Sequence, residues 1–135
     1  MEMETAELLR EFLRSGEQVL DADVEDILIE AVVVSNADWN DYRELLHKDI
    51  PSALADVLSG AGLRDCRIYF LKDDVSLPDY IAECRDVDGR NVALELGVNY
   101  DDEVGEVELL WLRAYKDAHW TPNILVYYTD VTPKN

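Results

Sequence analysis

Histidine, cysteine and serine are the side chains that most often hold metals or attack carbonyls, and their spacing here favours neither chemistry. His47 and His119 are the only histidines and stand 72 residues apart. No His-x-x-x-His or Glu-x-x-His pair therefore sets two metal ligands on one helix face. Cys66 and Cys84 form no Cys-x-x-Cys pair. Ser15, Ser35, Ser52, Ser59 and Ser76 lie outside any Gly-x-Ser-x-Gly elbow, and Gly60-Ala61-Gly62 runs into Leu63-Arg64 where a phosphate loop carries Lys-Ser/Thr. No metal, cofactor or catalytic residue is expected, and the chain reads as non-enzymatic.

What remains is acid. Thirty Asp and Glu against twelve Lys and Arg give a net charge of −18, where small domains usually carry roughly 2–8 in magnitude. The acids cluster in Asp21-Ala22-Asp23-Val24-Glu25-Asp26, in Asp73-Asp74, at Asp86 and Asp88, and in Asp101-Asp102-Glu103. Asp101-Asp102-Glu103 lacks the alternating spacing of a calcium loop. Pro78-Asp79 with Glu95-Leu96-Gly97 resembles the acidic pair of restriction-type nucleases, but Gly97 stands where those enzymes place a lysine. A surface of this sign repels nucleic acid and anionic membranes, so neither is an expected direct partner.

Uncompensated repulsion costs stability, and the use that best offsets it is docking onto a cationic protein. Asp73, Asp74, Asp101, Asp102 and Glu103 supply the charge in this reading. Tyr100, His119 and Trp120, placed in loops, supply aromatic anchoring and cation–π contact. The expected partner is a basic toxin, nuclease or other nucleic-acid-binding protein whose cationic site is covered, as by an immunity protein, an inhibitor or a nucleic-acid mimic. Two alternatives stand beside this one. The first is a ligand pocket or weak acid–base site built on Glu95 or Glu83 near a tyrosine or His47. The second is salt adaptation without an inhibitor role, which the four lysines against eight arginines would suit.

The elements that must position these residues follow from periodicity. At 135 residues and 48% hydrophobic content the chain is long and apolar enough for one core, and it reads as a single domain over residues 1–135. Ala6, Leu8, Leu9, Phe12 and Leu13 share one helical face over about 5–15. Val24, Ile27, Leu28, Ala31 and Val32 fit a second helix, preferred over a strand because Glu30 would break a strand buried on both faces. A third helix opens at Asn36–Asp38, kinks or restarts at Pro51 with Asp49 as cap, and stops at Gly60 and Gly62.

From Leu63 the period becomes two. Strands are predicted around Cys66–Leu71, Tyr80–Arg85, Val92–Val98, Val107–Tyr115 and Ile124–Tyr128, with Asp88-Gly89 as a tight hairpin. The expectation is an α+β fold, about three N-terminal helices (about 5–60) packed on one face of a five-stranded antiparallel meander (about 63–130). That order resembles the cystatin-like and NTF2-like cone folds in outline, without a shared motif. A turn near residue 75 sets Cys66 opposite Cys84, read as two small buried thiols in a reducing cytoplasm. The acidic start and the lack of any apolar run near the ~20 residues of a membrane span fit that compartment.

Overall fold

The computed structural model describes residues 4–32, 39–71, 78–101, 103–120 and 125–127. It is an α+β fold built on a five-stranded antiparallel sheet of order β1-β5-β4-β3-β2. The strands are β1 Val19–Ile29, β2 Arg64–Phe70, β3 Tyr80–Arg85, β4 Asn91–Asp101 and β5 Glu106–Lys116. Two helices cover one face: α1, Thr5–Arg14, and α2, residues 39–60. Two short strands, β6 Ala118–Trp120 and β7 Leu125–Tyr127, pair with each other in a separate sheet.

The core lies between the helices and the inner rows of the strands. Leu9 and Phe12 from α1, and Leu45, Ile50, Leu54 and Leu58 from α2, meet Tyr80, Ala82, Val92, Leu94, Leu96, Leu109 and Leu112. Each leucine taken wholly from water contributes about 1.5–3 kcal/mol, and the centre of the sheet gains most, since Leu94 and Leu112 are fully covered.

Three secondary-structure expectations change. The segment predicted as the second helix is β1, so there are two helices and not about three. Along it Leu20, Ala22, Val24, Asp26 and Leu28 turn inward while Val19, Asp21, Asp23, Glu25 and Ile27 turn out. The inward row hides from a hydrophobic pattern because Asp26 interrupts it. Its carboxylate accepts the Thr5 amide at 3.2 Å and the Thr5 hydroxyl, satisfying the start of α1, where Glu4 makes no side-chain cap. Secondly, β7, at the predicted fifth strand, pairs with β6, which the sequence placed in a loop; the fifth strand of the main sheet is β1.

The third change concerns Pro51. The helix does not restart there, and Asp49 makes no side-chain cap bond. Instead α2 is α-helical over Trp39–Glu44, π-helical over Leu45–Asp49 and α-helical again over Ile50–Gly60. Proline lacks an amide and its ring crowds the carbonyl four residues back, a crowding that one wider turn relieves. The Ile50 amide bonds to the Leu45 carbonyl, and Pro51 has no proton to offer, so the Leu46 carbonyl loses its helical donor. The Tyr80 hydroxyl replaces it, donating to Leu46 O at 2.6 Å. The helix then ends as predicted: Gly62 has φ +93°, its amide bonds to Ser59 O, and Leu63 N bonds back to Leu58 O.

The four strands β2 to β5 form the predicted meander. Asp88-Gly89 makes the β3–β4 turn, with Gly89 at φ +82° and the Asp86 carboxylate accepting the amides of Asp88 and Arg90, each at 2.9 Å. Cys66 and Cys84 oppose each other as expected, but as a disulfide rather than two thiols. The pair continues the register of Ile68 with Ala82 and Arg67 with Glu83, and the two Cα atoms lie 4.1 Å apart.

Candidate functional acidic face

Helices occupy one side of the sheet and leave the other side to polar rows. One row crosses all five strands: Asp21, Arg113, Glu95, Ile81 and Tyr69 stand side by side. Arg113 Nε lies 3.3 Å from Asp21 Oδ2 and its Nη1 lies 4.0 Å from Glu95 Oε1. Asp21 first, and Glu95 after it, raise the guanidinium pKa and keep the charge in place. The Tyr115 hydroxyl donates to Glu95, and the Arg113 guanidinium sits 5.2 Å from the centre of the Trp111 ring.

Trp111 leans over Gly97, its cross-strand neighbour. A Cβ at Gly97 would fall 2.0 Å from the indole Nε1, so only glycine lets the ring lie flat on the sheet. Gly97→Ala is expected to expel the indole from this seat, moving the Trp111 indole N–H resonance and lowering stability by about 1–2 kcal/mol, as for other overpacked sites. An unshifted resonance would show that the ring does not depend on the glycine.

Acid dominates the rest of this face. Asp23 and Glu25 project from β1, Glu106 and Glu108 from β5 and Asp101 from β4, with Glu103 in the β4–β5 turn. Glu106 stands directly opposite Asp101, a like-charge pairing that opposes strand association. Among the described residues no Lys or Arg lies within ion-pair distance of any of these carboxylates. Apolar groups stand in their midst: Ile27, opposite Glu108, is half exposed, as are parts of Leu110 and Trp111.

Apart from Arg113, the arginines of the sheet sit elsewhere. Arg64 and Arg85 face each other across β2 and β3 and are tied to the β3–β4 turn, Arg64 to Val87 O at 3.0 Å and Arg85 to Gly89 O at 2.9 Å. Arg67 and Arg90 belong to the same corner. Four arginines therefore share the corner of β2 and the β3–β4 turn with Asp65, Glu83, Asp86 and Asp88, whereas the β1 side of the outer face carries Arg113 alone among the described arginines.

The residues singled out from sequence fall in three places. Asp73, Asp74 and Asp102 lie outside the described residues. Tyr100 turns to the helix side and packs against the core, its hydroxyl 3.5 Å from Val32 O. Its neighbour Asp101 shapes the turn, accepting the Glu103 amide at 3.0 Å, while Glu103 is exposed. His119 and Trp120 form β6, which the Trp120 indole fastens to the sheet through Ala82 O at 3.0 Å and the Trp120 amide through Glu83 at 2.9 Å. Ala82 pairs with Leu94, seven residues along β4 from Asp101, roughly 23 Å at strand spacing. The structure therefore brings Asp101 and Glu103 together and holds His119 and Trp120 apart from them.

For the alternative pocket, Glu95 does meet a tyrosine, Tyr115, but on the outer face. His47 lies across the sheet among the helices, its ring 5.4 Å from that of Phe70. Among the described residues no group of three or more metal-ligating side chains gathers, and no helix is long and apolar enough to cross a membrane. No protein-family model, curated protein or solved structure matches the chain.

Sequence reasoning missed Trp111, Ile27 and the outward row of β1. A signal for Trp111 was present: Arg113 and Tyr115 share its parity, and an arginine does not belong on a buried row. The bulge between Trp111 and Leu109, opposite Gly97 and Val98, changes which parity faces the core.

Proposed function

We propose that the protein is a small acidic, non-enzymatic binding protein that covers a basic site on a partner protein, such as a toxin, a nuclease or another nucleic-acid-binding protein. The observation that carries this reading is the concentration of carboxylates without a cationic partner among the described residues on the open sheet face around Ile27, Leu110 and Trp111. Their mutual repulsion is relieved when cationic groups of a partner approach, and the apolar patch between them supplies the desolvated contact that charge alone lacks. The long-range field speeds encounter, and added salt slows it. Compared with the surface expected from sequence, the docking centre moves from Tyr100 and Trp120 to Trp111 and the outward row of β1. The reading applies in the cytoplasm and outside it alike.

The test is affinity capture on the immobilised protein from lysate of its own organism, at about physiological and about 1 M salt, with wild type beside a variant carrying Asp23→Lys and Glu108→Lys. Steering of this kind changes association rates by about 10–10³-fold. A single basic protein held by wild type, lost from the variant and released by salt is expected. Equal capture by both proteins would remove this face from the function. A chain that captures nothing and melts lower as salt is withdrawn would instead assign the acidity to salt adaptation.

A further inference from the structure

The acidic face ends at a strand edge that nothing among the described residues pairs with, and the first five residues of this edge, Val19–Asp23, are regular. β1 runs for eleven residues at one side of the sheet and contains neither lysine nor proline, the residues that most often blunt an exposed edge. The Lys116 amide bonds to the Gln18 carbonyl at 3.0 Å, which sets the phase of the antiparallel ladder. Main-chain groups of Leu20 and Ala22 therefore turn toward β5, and those of Val19, Asp21 and Asp23 turn toward the free edge. The register is unbroken from Val19 to Asp23 and shifts only after Asp23. Just past that point a groove of about 680 Å³ opens, with Leu8, Val24, Leu110 and Trp111 among its apolar walls and Glu25 beside them.

We propose that the Val19–Asp23 edge takes up an extended, lysine- or arginine-rich segment of the partner by strand addition. The segment's main chain bonds to Val19, Asp21 and Asp23. Its basic side chains, at alternate positions, meet Asp23 and Glu25 on the outer face, beside the Asp21–Arg113 pair. A following apolar side chain enters the groove beside Trp111. The proposal rests on the acidic docking surface above and adds how that surface is engaged.

Charge selects the occupant. A second copy offering its own β1 would set Asp21, Asp23 and Glu25 against the same residues, in a chain of net charge −18, and is repelled. The opposite edge, β2, is a poor donor strand for another copy, because its register shifts after Arg64 and Asp65 there holds φ +54°. An extended cationic segment meets neither obstacle.

The probe is a peptide of about twelve residues with lysine at alternate positions and valine or threonine between. Two versions are N-methylated at alternate amides, one in each phase, so that charge is kept and one hydrogen-bonding edge is blocked. Binding is measured by fluorescence anisotropy at low salt, and amide exchange is followed at Val19, Asp21 and Asp23. The parent peptide is expected to bind and to slow exchange at those three amides. One methylated phase should weaken by about tenfold or more, the loss of at least one net main-chain hydrogen bond, while the other binds as the parent does. If both methylated peptides bind as well as the parent, strand addition is wrong and the acidic docking surface stands. If the parent fails to bind, or binds the Asp23→Lys, Glu108→Lys variant equally well, both readings fall.

Discussion

Replacing Cys66 and Cys84 together by alanine is expected to lower stability by about 3 kcal/mol and the melting temperature by about 10 °C. The bridge closes a loop of sequence separation 18 between β2 and β3. Most of its contribution comes from chain freedom withheld from the unfolded state, and that freedom grows only slowly with loop size. Little cavity cost should add to this, since alanine fills most of the space of the buried Cys84 side chain. Urea unfolding should show a lower midpoint together with a steeper slope, because the unlinked chain exposes more surface. Wild type treated with a thiol reductant should behave like the double variant. Equal midpoints for the variant and the oxidised wild type, or two titratable thiols in the protein purified without reductant, would mean that the pair does not brace the sheet.

The second large effect is alkaline. Burial, more than the nearby Asp79 and Tyr42, raises the Tyr80 pKa well above the usual tyrosine value. The folded chain therefore holds this proton at pH values where the unfolded chain releases it. The stability that Tyr80 confers is whole below about pH 10 and falls above it, by about 1.4 kcal/mol per pH unit until the folded group itself titrates. Between about pH 10 and 12 this single hydroxyl should remove about 2.5 kcal/mol. Tyr80→Phe lacks that slope but leaves the Leu46 carbonyl without a donor at the π turn, costing about 1–2 kcal/mol at neutral pH. The two stability curves should cross near pH 11. Parallel curves from pH 8 to 12 would show that Tyr80 is not the group whose ionisation the fold resists.

Much of the sheet was legible because β2 to β5 alternate cleanly and their turns carry Asp-Gly or close spacing. Cys66 could be set against Cys84 from turn position alone, though not the bond between them, because two opposed cysteines read equally as thiols in a reducing compartment. The helix end at Gly60–Gly62 was equally plain. β1 was not: Glu30, which weighed against a strand, lies just past its end at Ile29, and Asp26 sits on the inward row because it serves the first turn of α1, a partner 21 residues away. With that position polar, the apolar residues from Val24 to Val32 matched a helical period by coincidence. The acidic face was legible as charge but not as place. Asp21, Asp23 and Glu25 become one outward row only when the segment is a strand, and Trp111 joins them only through the bulge of β5. The meeting of Arg64 with Arg85, and of Arg67 with Glu83, depends on strand pairing, which no local pattern records.

The position of β1 also governs how the molecule is made. The meander β2 to β5 links neighbours in sequence, so its pairings close small loops and can form early. The remaining strand must travel from the first part of the chain to the far side of β5, where Val19 meets Tyr115. That pairing closes a loop spanning most of the chain and is expected to be the slow step of folding. Until it happens, β5 is the sheet's edge, its main-chain groups open and its inner row of Val107, Leu109 and Leu112 incompletely covered. Intermediates of this kind associate with one another when their concentration is high. Wherever chains with β1 still undocked accumulate, the net charge of −18 opposes their association.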